Sequence, residues 1–368
     1  MIRANTIPNL HKIAVLRANA LGDLIFALPA LDALRSTYPD AEIVLLATDW
    51  HRAFLADRPG PVDRVVVVPP SRGVSRAPHE EDDPAALESF FADMHKERFD
   101  LAIQLHGGGR FSNPFVRRLH ARLTAGLCAA DAEPLDLSVA YVYFQSEILR
   151  YLEVVCLVGA RTDRLEPRIA VTAHDRAEAA AVLPEDGQPI VVLHAGAGDP
   201  RRRWPAEKFS QVGDALARAG YRIVLTGAPW ERDSARQIQA MMHAEAVDVA
   251  GRTSLGALAG LLGRAAVVVS NDSGPLHLAR AVDTPTVGLY WCGNLITASP
   301  PFLARHRPLI SWQLDCPVCG QSIIHAPCDH RVSFVAEIRV EDVIAAAFSL
   351  VEADRRVRPR QGTALSDG

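Results

Sequence analysis

Val267-Val-Val-Ser-Asn-Asp-Ser-Gly-Pro-Leu-His-Leu-Ala279 is the stretch on which the architecture of this chain turns. A β-branched apolar run breaks at Asn271-Asp272-Ser273-Gly274, and Pro275 then opens a helix. Proline suits a first helical turn, where its missing N–H would have no partner in any case. A strand that runs straight into a helix is half of a parallel crossover unit, and parallel sheets bury both faces of such apolar strands. In open sheets of this kind ligands bind beyond the carboxyl ends of the strands. A helix starting there offers N–H groups and a partial positive charge suited to a diphosphate, and Gly274 lets backbone and ligand approach closely. Asp272, Ser273, Gly274, Pro275 and His277 are therefore candidate ligand contacts. The plainer reading of the same spacing is a helix capped by Asp272 or Ser273.

The same alternation extends along the whole chain. In the first half strands are expected at 13–17, 42–47, 64–69, 100–106 and 122–126, with an amphipathic helix at 24–38. In the second half they are expected at 189–195, 222–227, 248–250, 266–271 and 286–290, separated by helices at 206–219, 231–243 and 255–263. Two such series read as two doubly wound α/β domains. The proline-bearing polar stretch 158–188 divides them, giving a first domain at 1–170 and a second at 171–352. Residues 72–84 read as a surface loop with a solvated acidic cluster, and 341–353 as a final helix. Residues 353–368 read as a disordered tail.

Composition narrows the function. The 368 residues carry 39 basic and 43 acidic side chains, a formal net charge of −4, which argues against nucleic acid as a partner. Lysine occurs only at Lys12, Lys96 and Lys208, so nearly all the positive charge is arginine, whose fork fits phosphate oxygens. The first twelve residues hold no apolar run able to serve as a secretory signal, and none in the chain approaches the roughly 20 residues that cross a bilayer. The expected location is cytoplasmic.

Further polar groups fall at other strand ends. His194-Ala-Gly-Ala-Gly-Asp-Pro-Arg-Arg-Arg-Trp-Pro205 places Arg201, Arg202 and Arg203 after a glycine-rich strand end, an arrangement able to clamp an anion. Thr226-Gly-Ala-Pro-Trp-Glu-Arg-Asp233 puts Glu231 and Asp233 where a ribose hydroxyl could be held. In the first half the strand at 13–17 leads through Ala18-Asn-Ala-Leu-Gly-Asp23 into a helix. There Asp23 reads as an N-cap or as a carboxylate that takes the proton of an attacking hydroxyl across an interdomain cleft. Gln104-Leu-His-Gly-Gly-Gly-Arg110 reads as a tight glycine turn or as a loop presenting His106 and Arg110 to an acceptor. No Gly-x-Gly-x-x-Gly follows the first strand, which argues against a nicotinamide-dependent oxidoreductase.

Taken in order, these pieces resemble the heptosyltransferases of glycosyltransferase family nine. The resemblance rests on Leu21-Gly22-Asp23 with Leu28-Pro29-Ala30-Leu31, on Arg202-Arg203-Trp204-Pro205, and on Asn271-Asp272-Ser273-Gly274-Pro275 continuing through His277 and Ala279. It implies a GT-B fold, two Rossmann-like domains facing across a cleft, with the last helix returning to the first domain. It also implies an inverting transfer of heptose or a related sugar from a nucleotide sugar, ADP-heptose, to a lipopolysaccharide core or other glycan acceptor; no Asp-x-Asp pair ends a strand to hold a metal, so the transfer is expected to be metal-independent. No cofactor is required, and a lipid-linked acceptor brings peripheral contact with the inner membrane. Carried over, Asp23 is the catalytic base. Asp272, Ser273, Gly274, Pro275 and His277 form the donor turn, Arg202 stands where the family has a lysine near the diphosphate, Thr253 lies near adenine and Glu231 near ribose. Arg280 departs from the family's run of small residues. The alternatives left open are another nucleotide sugar, or a non-catalytic sugar-nucleotide or glycan-binding protein on the same fold.

Cys316-Pro-Val-Cys319, Cys328 and His330 stand apart from this scheme as Cys-x2-Cys-x8-Cys-x-His. No metal is assigned to the reaction. The set offers the four ligands of a structural zinc site, and reads equally as a loop of reduced thiols or as a disulfide.

Overall fold

The computed structural model describes residues 6–322 and 328–357. The chain divides into two compact units, one of residues 1–172 with 296–301, the other of residues 173–295 with 302–368. Each is built on one six-stranded, wholly parallel sheet.

In the first unit the strands are β1 (Lys12–Leu16), β2 (Glu42–Ala47), β3 (Arg64–Val67), β4 (Leu101–Gln104), β5 (Leu123–Cys128) and β6 (Leu137–Ala140), in the order β3-β2-β1-β4-β5-β6. In the second they are β7 (Ile190–His194), β8 (Arg222–Thr226), β9 (Ala246–Asp248), β10 (Val267–Asn271), β11 (Thr286–Trp291) and β12 (His306–Ser311). Their order, β12-β11-β10-β7-β8-β9, is the same winding read from the other edge. The strand order therefore reverses between β1 and β4 in one sheet and between β7 and β10 in the other, the places where open sheets leave a crevice. The duplication is one of topology; no sequence repeat accompanies it.

Central strands are apolar on both faces. Ile13, Val15, Leu16, Ile43, Leu45 and Ile103 are fully buried in the first sheet, and Val191, Val192, Ile223, Val267 and Val269 in the second. The two strands not expected from the sequence are edges. β6 alternates between half-buried and exposed residues, and β12 contains Pro308, which has no N–H for a ladder and is tolerated only at a margin. Helix Leu21–Thr37 carries Pro29 in its buried interior, so the Ile25 carbonyl loses its usual helical donor.

Two expectations need correction. The final helix, Val340–Val357, is longer than expected, so residues 353–357 are helical; the rest of the expected tail, 358–368, lies outside the described residues. The family resemblance sends this helix to the first domain, but its apolar face joins the second unit's core, where Val343, Ala347, Leu350 and Val351 pack with Val267, Val287 and Leu289. Its spacing of apolar residues makes a stripe that the second sheet buries. Among the described residues no helix is long and apolar enough to cross a membrane.

Candidate functional site

Polar side chains collect at the switch point of each sheet. In the first unit the organising residue is Arg17, which follows β1 and is 2% exposed. Its guanidinium pairs with the Asp23 carboxylate (NH2 to Oδ1, 2.7 Å), and its Nε donates to the Asp23 carbonyl at 3.1 Å. NH1 donates to the Leu105 carbonyl (2.8 Å), the Glu147 carboxylate lies at 3.8 Å, and the Tyr151 ring stacks beneath at 4.9 Å. Tyr151 in turn donates to Glu147. Burial works against a charge here, but Asp23, Tyr151 and Glu147 outweigh it and hold Arg17 more firmly protonated than usual.

Asp23 is not the N-cap. The helix begins at Leu21 with Ala20 in the cap position, and Asp23, at the third helical residue, accepts the Ala20 N–H at 3.0 Å. This is the returning half of a capping box whose forward half Ala20 cannot supply. The Asp23 side chain remains 31% exposed, so a carboxylate fixed at two points still presents open acceptor capacity.

His106 and Arg110 part company. His106 is buried, and its Nδ1 receives the Ala18 N–H at 3.3 Å. Arg110 is 69% exposed, with Asp131 at 3.6 Å. The loop between them is a tight glycine turn that the strand itself organises. Gln104 donates to the His106 and Gly107 carbonyls and to Ser112 Oγ. Gly109 has φ +98°, and a Cβ there would fall 2.4 Å from Asn113 Nδ2.

In the second unit the end of β10 and the start of helix Gly274–Ala281 form one network. Asp272 is almost wholly buried. Its Oδ1 meets His277 Nε2 at 3.1 Å and its Oδ2 meets Arg202 NH1 at 3.1 Å. Burial would raise the Asp272 carboxyl, but His277 and Arg202 outweigh it and hold it below the usual carboxylate range. Burial likewise lowers His277, against the pull of Asp272. Arg280 NH1 lies 3.3 Å from His277 Nδ1. Arginine only donates, so Nδ1 accepts and a neutral ring gives its Nε2 proton to Asp272.

Ser273 occupies the N-cap position, yet its hydroxyl makes no cap bond and donates to the Asn271 carbonyl at 3.2 Å. Leu276 and His277 donate to the Ser273 carbonyl, and Pro275 has no N–H. The Ser273 and Gly274 N–H groups of this turn are left without a partner among the described residues.

The three arginines that precede Trp204 are committed differently. Arg201 forks onto Asp199 and Arg203 onto the Ala197 carbonyl, so Arg202 alone turns to the Asp272 side. Asn271 fixes that loop from beneath, accepting from Trp204 N (3.0 Å) and donating to the Ala195 carbonyl (2.7 Å). Glu231 folds back over Gly196 and accepts the Ala228 N–H at 2.8 Å; a Cβ on Gly196 would meet its Oε1 at 2.1 Å. The wholly exposed Asp233 pairs only loosely with Arg236, at 3.7 Å. Thr253 is half-buried, directly before the capping residue Ser254 of helix Leu255–Gly263.

Reading the strand ends alone does not reveal Arg17 as the partner of Asp23, or Glu147 and Tyr151 as further partners of Arg17. The one local signal is a charged residue closing a wholly apolar strand. Cys316, Cys319, Cys328 and His330 are gathered in space, well apart in sequence from the donor-turn residues.

Buried histidines give the protein an acid sensitivity. Burial first, and the Arg17 charge second, push both His51 and His106 down to about 3, and burial pushes His306 down to about 3. Below about pH 6.5 the unfolded chain takes up protons that the folded one refuses, so stability falls as pH falls toward the folded values. Each group is expected to cost roughly 1 kcal/mol between about pH 7.5 and about pH 5.5. Urea unfolding across that range should show the loss, and His106→Gln should reduce its proton dependence by about one proton. An unchanged dependence in that variant would mean His106 is protonated in the folded state.

The chain is similar to known proteins. The family model for glycosyltransferase family 9 (heptosyltransferase) matches residues 88–302. The chain is 25% identical over 321 residues to lipooligosaccharide heptosyltransferase 2 of Haemophilus ducreyi, covering 81% of this chain and 88% of that protein. A solved glycosyl transferase family 9 structure from Veillonella parvula superposes with a TM-score of 0.76 at 23% identity, over 93% of this chain and 97% of that one. The E. coli ADP-heptose lps heptosyltransferase II structure superposes with a TM-score of 0.74 at 17% identity, over 94% and 100%.

Proposed function

The chain belongs to glycosyltransferase family 9, the heptosyltransferases, and from that membership we propose how its residues divide the work of sugar transfer. The fold is GT-B, and the reaction is movement of a heptose from a nucleotide sugar to a lipopolysaccharide-type acceptor. The donor is ADP-heptose, as in the name of the E. coli relative.

The observation that carries the assignment is the turn after β10. There Arg202 is 28% exposed while the Asp272 it pairs with is 3% exposed, so the cation has one edge anchored and the rest available. The Ser273 and Gly274 N–H groups follow Asp272 directly and have no partner among the described residues. Phosphate oxygens suit both, the guanidinium as a fork and the amides at a helix start. Asp272 and His277 position Arg202; the carboxylate is bonded on both oxygens, is 3% exposed and serves the cation. Thr253 and Glu231 line the base and ribose side.

In the transfer, the acceptor hydroxyl attacks the anomeric carbon and gives its proton to Asp23. The bond from that carbon to the diphosphate oxygen breaks, and the nucleoside diphosphate leaves with the electron pair. Inversion follows from attack opposite the leaving group, and charge separation is eased where Arg202 and the Gly274 N–H meet the departing phosphate. His106 supports the Asp23 loop from within, and Arg110 is the exposed acceptor contact. A lipid-linked acceptor places the work at the cytoplasmic face of the inner membrane by peripheral contact, which co-sedimentation with acceptor-bearing vesicles tests.

Calorimetric titration with ADP, UDP and GDP, then with ADP-heptose, checks the reading. ADP should bind selectively, and Arg202→Ala should weaken it and slow transfer by about 10²-fold. A preference for UDP or GDP would overturn the ADP donor, and no binding of any of them would point to a non-catalytic protein.

A further inference from the structure

We propose that Cys316, Cys319, Cys328 and His330 form a closed tetrahedral site for a structural zinc ion, which fastens the chain between β12 and the final helix. The ligand atoms of the four side chains all lie within 4.8 Å of one another. A zinc tetrahedron with bonds of about 2.3 Å to sulfur and about 2.0 Å to nitrogen separates its ligands by roughly 3.3–3.8 Å. The four groups therefore need only a small contraction.

The backbone around the first pair is already shaped as a metal knuckle. Cys316-Pro317-Val318-Cys319-Gly320 turns back on itself, with Gly320 N donating to the Cys316 carbonyl at 2.8 Å and Cys316 N to the Gln321 carbonyl at 2.9 Å. Asp315 and Ser322 close the arms in an antiparallel bridge, and Gly320 at φ +69° makes the reversal without strain.

Two further observations point to an ion at the centre. His330 Nδ1 is buried with no hydrogen-bond partner among the described residues, an arrangement that costs free energy unless something else takes the lone pair. The six cysteines are all free thiols, so no disulfide holds the lobe. An apolar core does not hold it either, since Trp312, Leu314 and Val318 are 67%, 43% and 57% exposed. Small lobes without a core need a staple, and Cys3His is a closed zinc ligand set. Four protein ligands leave no open position for substrate, so the ion is structural and takes no part in sugar transfer.

The test is made on untagged full-length protein, purified under reducing conditions without chelators. Elemental analysis should find about one zinc per chain, the loading of a single closed Cys3His site. After chelator stripping, Co2+ should restore one equivalent with the thiolate charge-transfer and tetrahedral ligand-field bands of sulfur-bound cobalt. Cys319→Ser and Cys328→Ser should lose the zinc. The unsubstituted protein's metal content and cobalt spectrum stand whether or not those variants fold. Iron in place of zinc would overturn the choice of ion. Metal content near zero with no cobalt spectrum, or loss of free thiols to a disulfide, would overturn the site.

Discussion

Asp23→Asn is expected to lower kcat by about 10²–10⁴-fold, the range for removing a general base, while leaving ADP affinity unchanged. Asparagine matches the carboxylate in shape and can still accept the Ala20 N–H, so the helix start is retained. What it loses is the ability to take a proton. Asparagine also leaves the buried Arg17 without its nearer counter-charge, so some stability is lost in either case, and a purely structural role for Asp23 predicts that loss with kcat preserved. Transfer measured at saturating donor, alongside calorimetry with ADP, separates the two. Full kcat in the Asp23→Asn variant would remove the residue from the mechanism.

Arg17→Met should destabilise the first sheet by about 3–5 kcal/mol, the usual consequence of deleting one partner of a buried ion pair. The methionine stem replaces the buried methylenes, but the Leu105 carbonyl loses its donor, and Asp23 and Glu147 lose their shared cation. Hydrogen exchange in the intact chain reads the effect locally: protection across β1 and β4 should collapse while that of β7 and β10 persists. Equal loss in both sheets would show that the unfolding is global, and undiminished protection in β1 would show that the pair contributes nothing net.

The fold is legible in the sequence where burial dictates composition. A parallel strand covered on both faces must be nearly all apolar, and every such strand stands out from its neighbours. β6 and β12 escape because an edge strand is covered only in part, so exposed residues in one and Pro308 in the other carry no penalty strong enough to mark them. The candidate site is legible in the same uneven way. Asp272 and His277 are five residues apart on one turn, and local spacing exposes them. Arg17 meets Glu147 and Tyr151 only because β1 and helix Glu147–Cys156 are brought together by the fold, and no periodicity spans that separation. The run of three arginines reads as one clamp. Its division of labour depends on Asp199 and on the Ala197 carbonyl, which the chain positions only once the turn at Pro200–Arg202 forms.

Asn271 ties the arginine loop to the turn after β10. One amide grips both ends of that loop, the Ala195 carbonyl where it leaves β7 and the Trp204 N–H where it enters the next helix. The same residue ends β10, immediately before the turn that carries Gly274. The loop and the turn thus share a single clasp, and a change at Asn271 would disturb both at once.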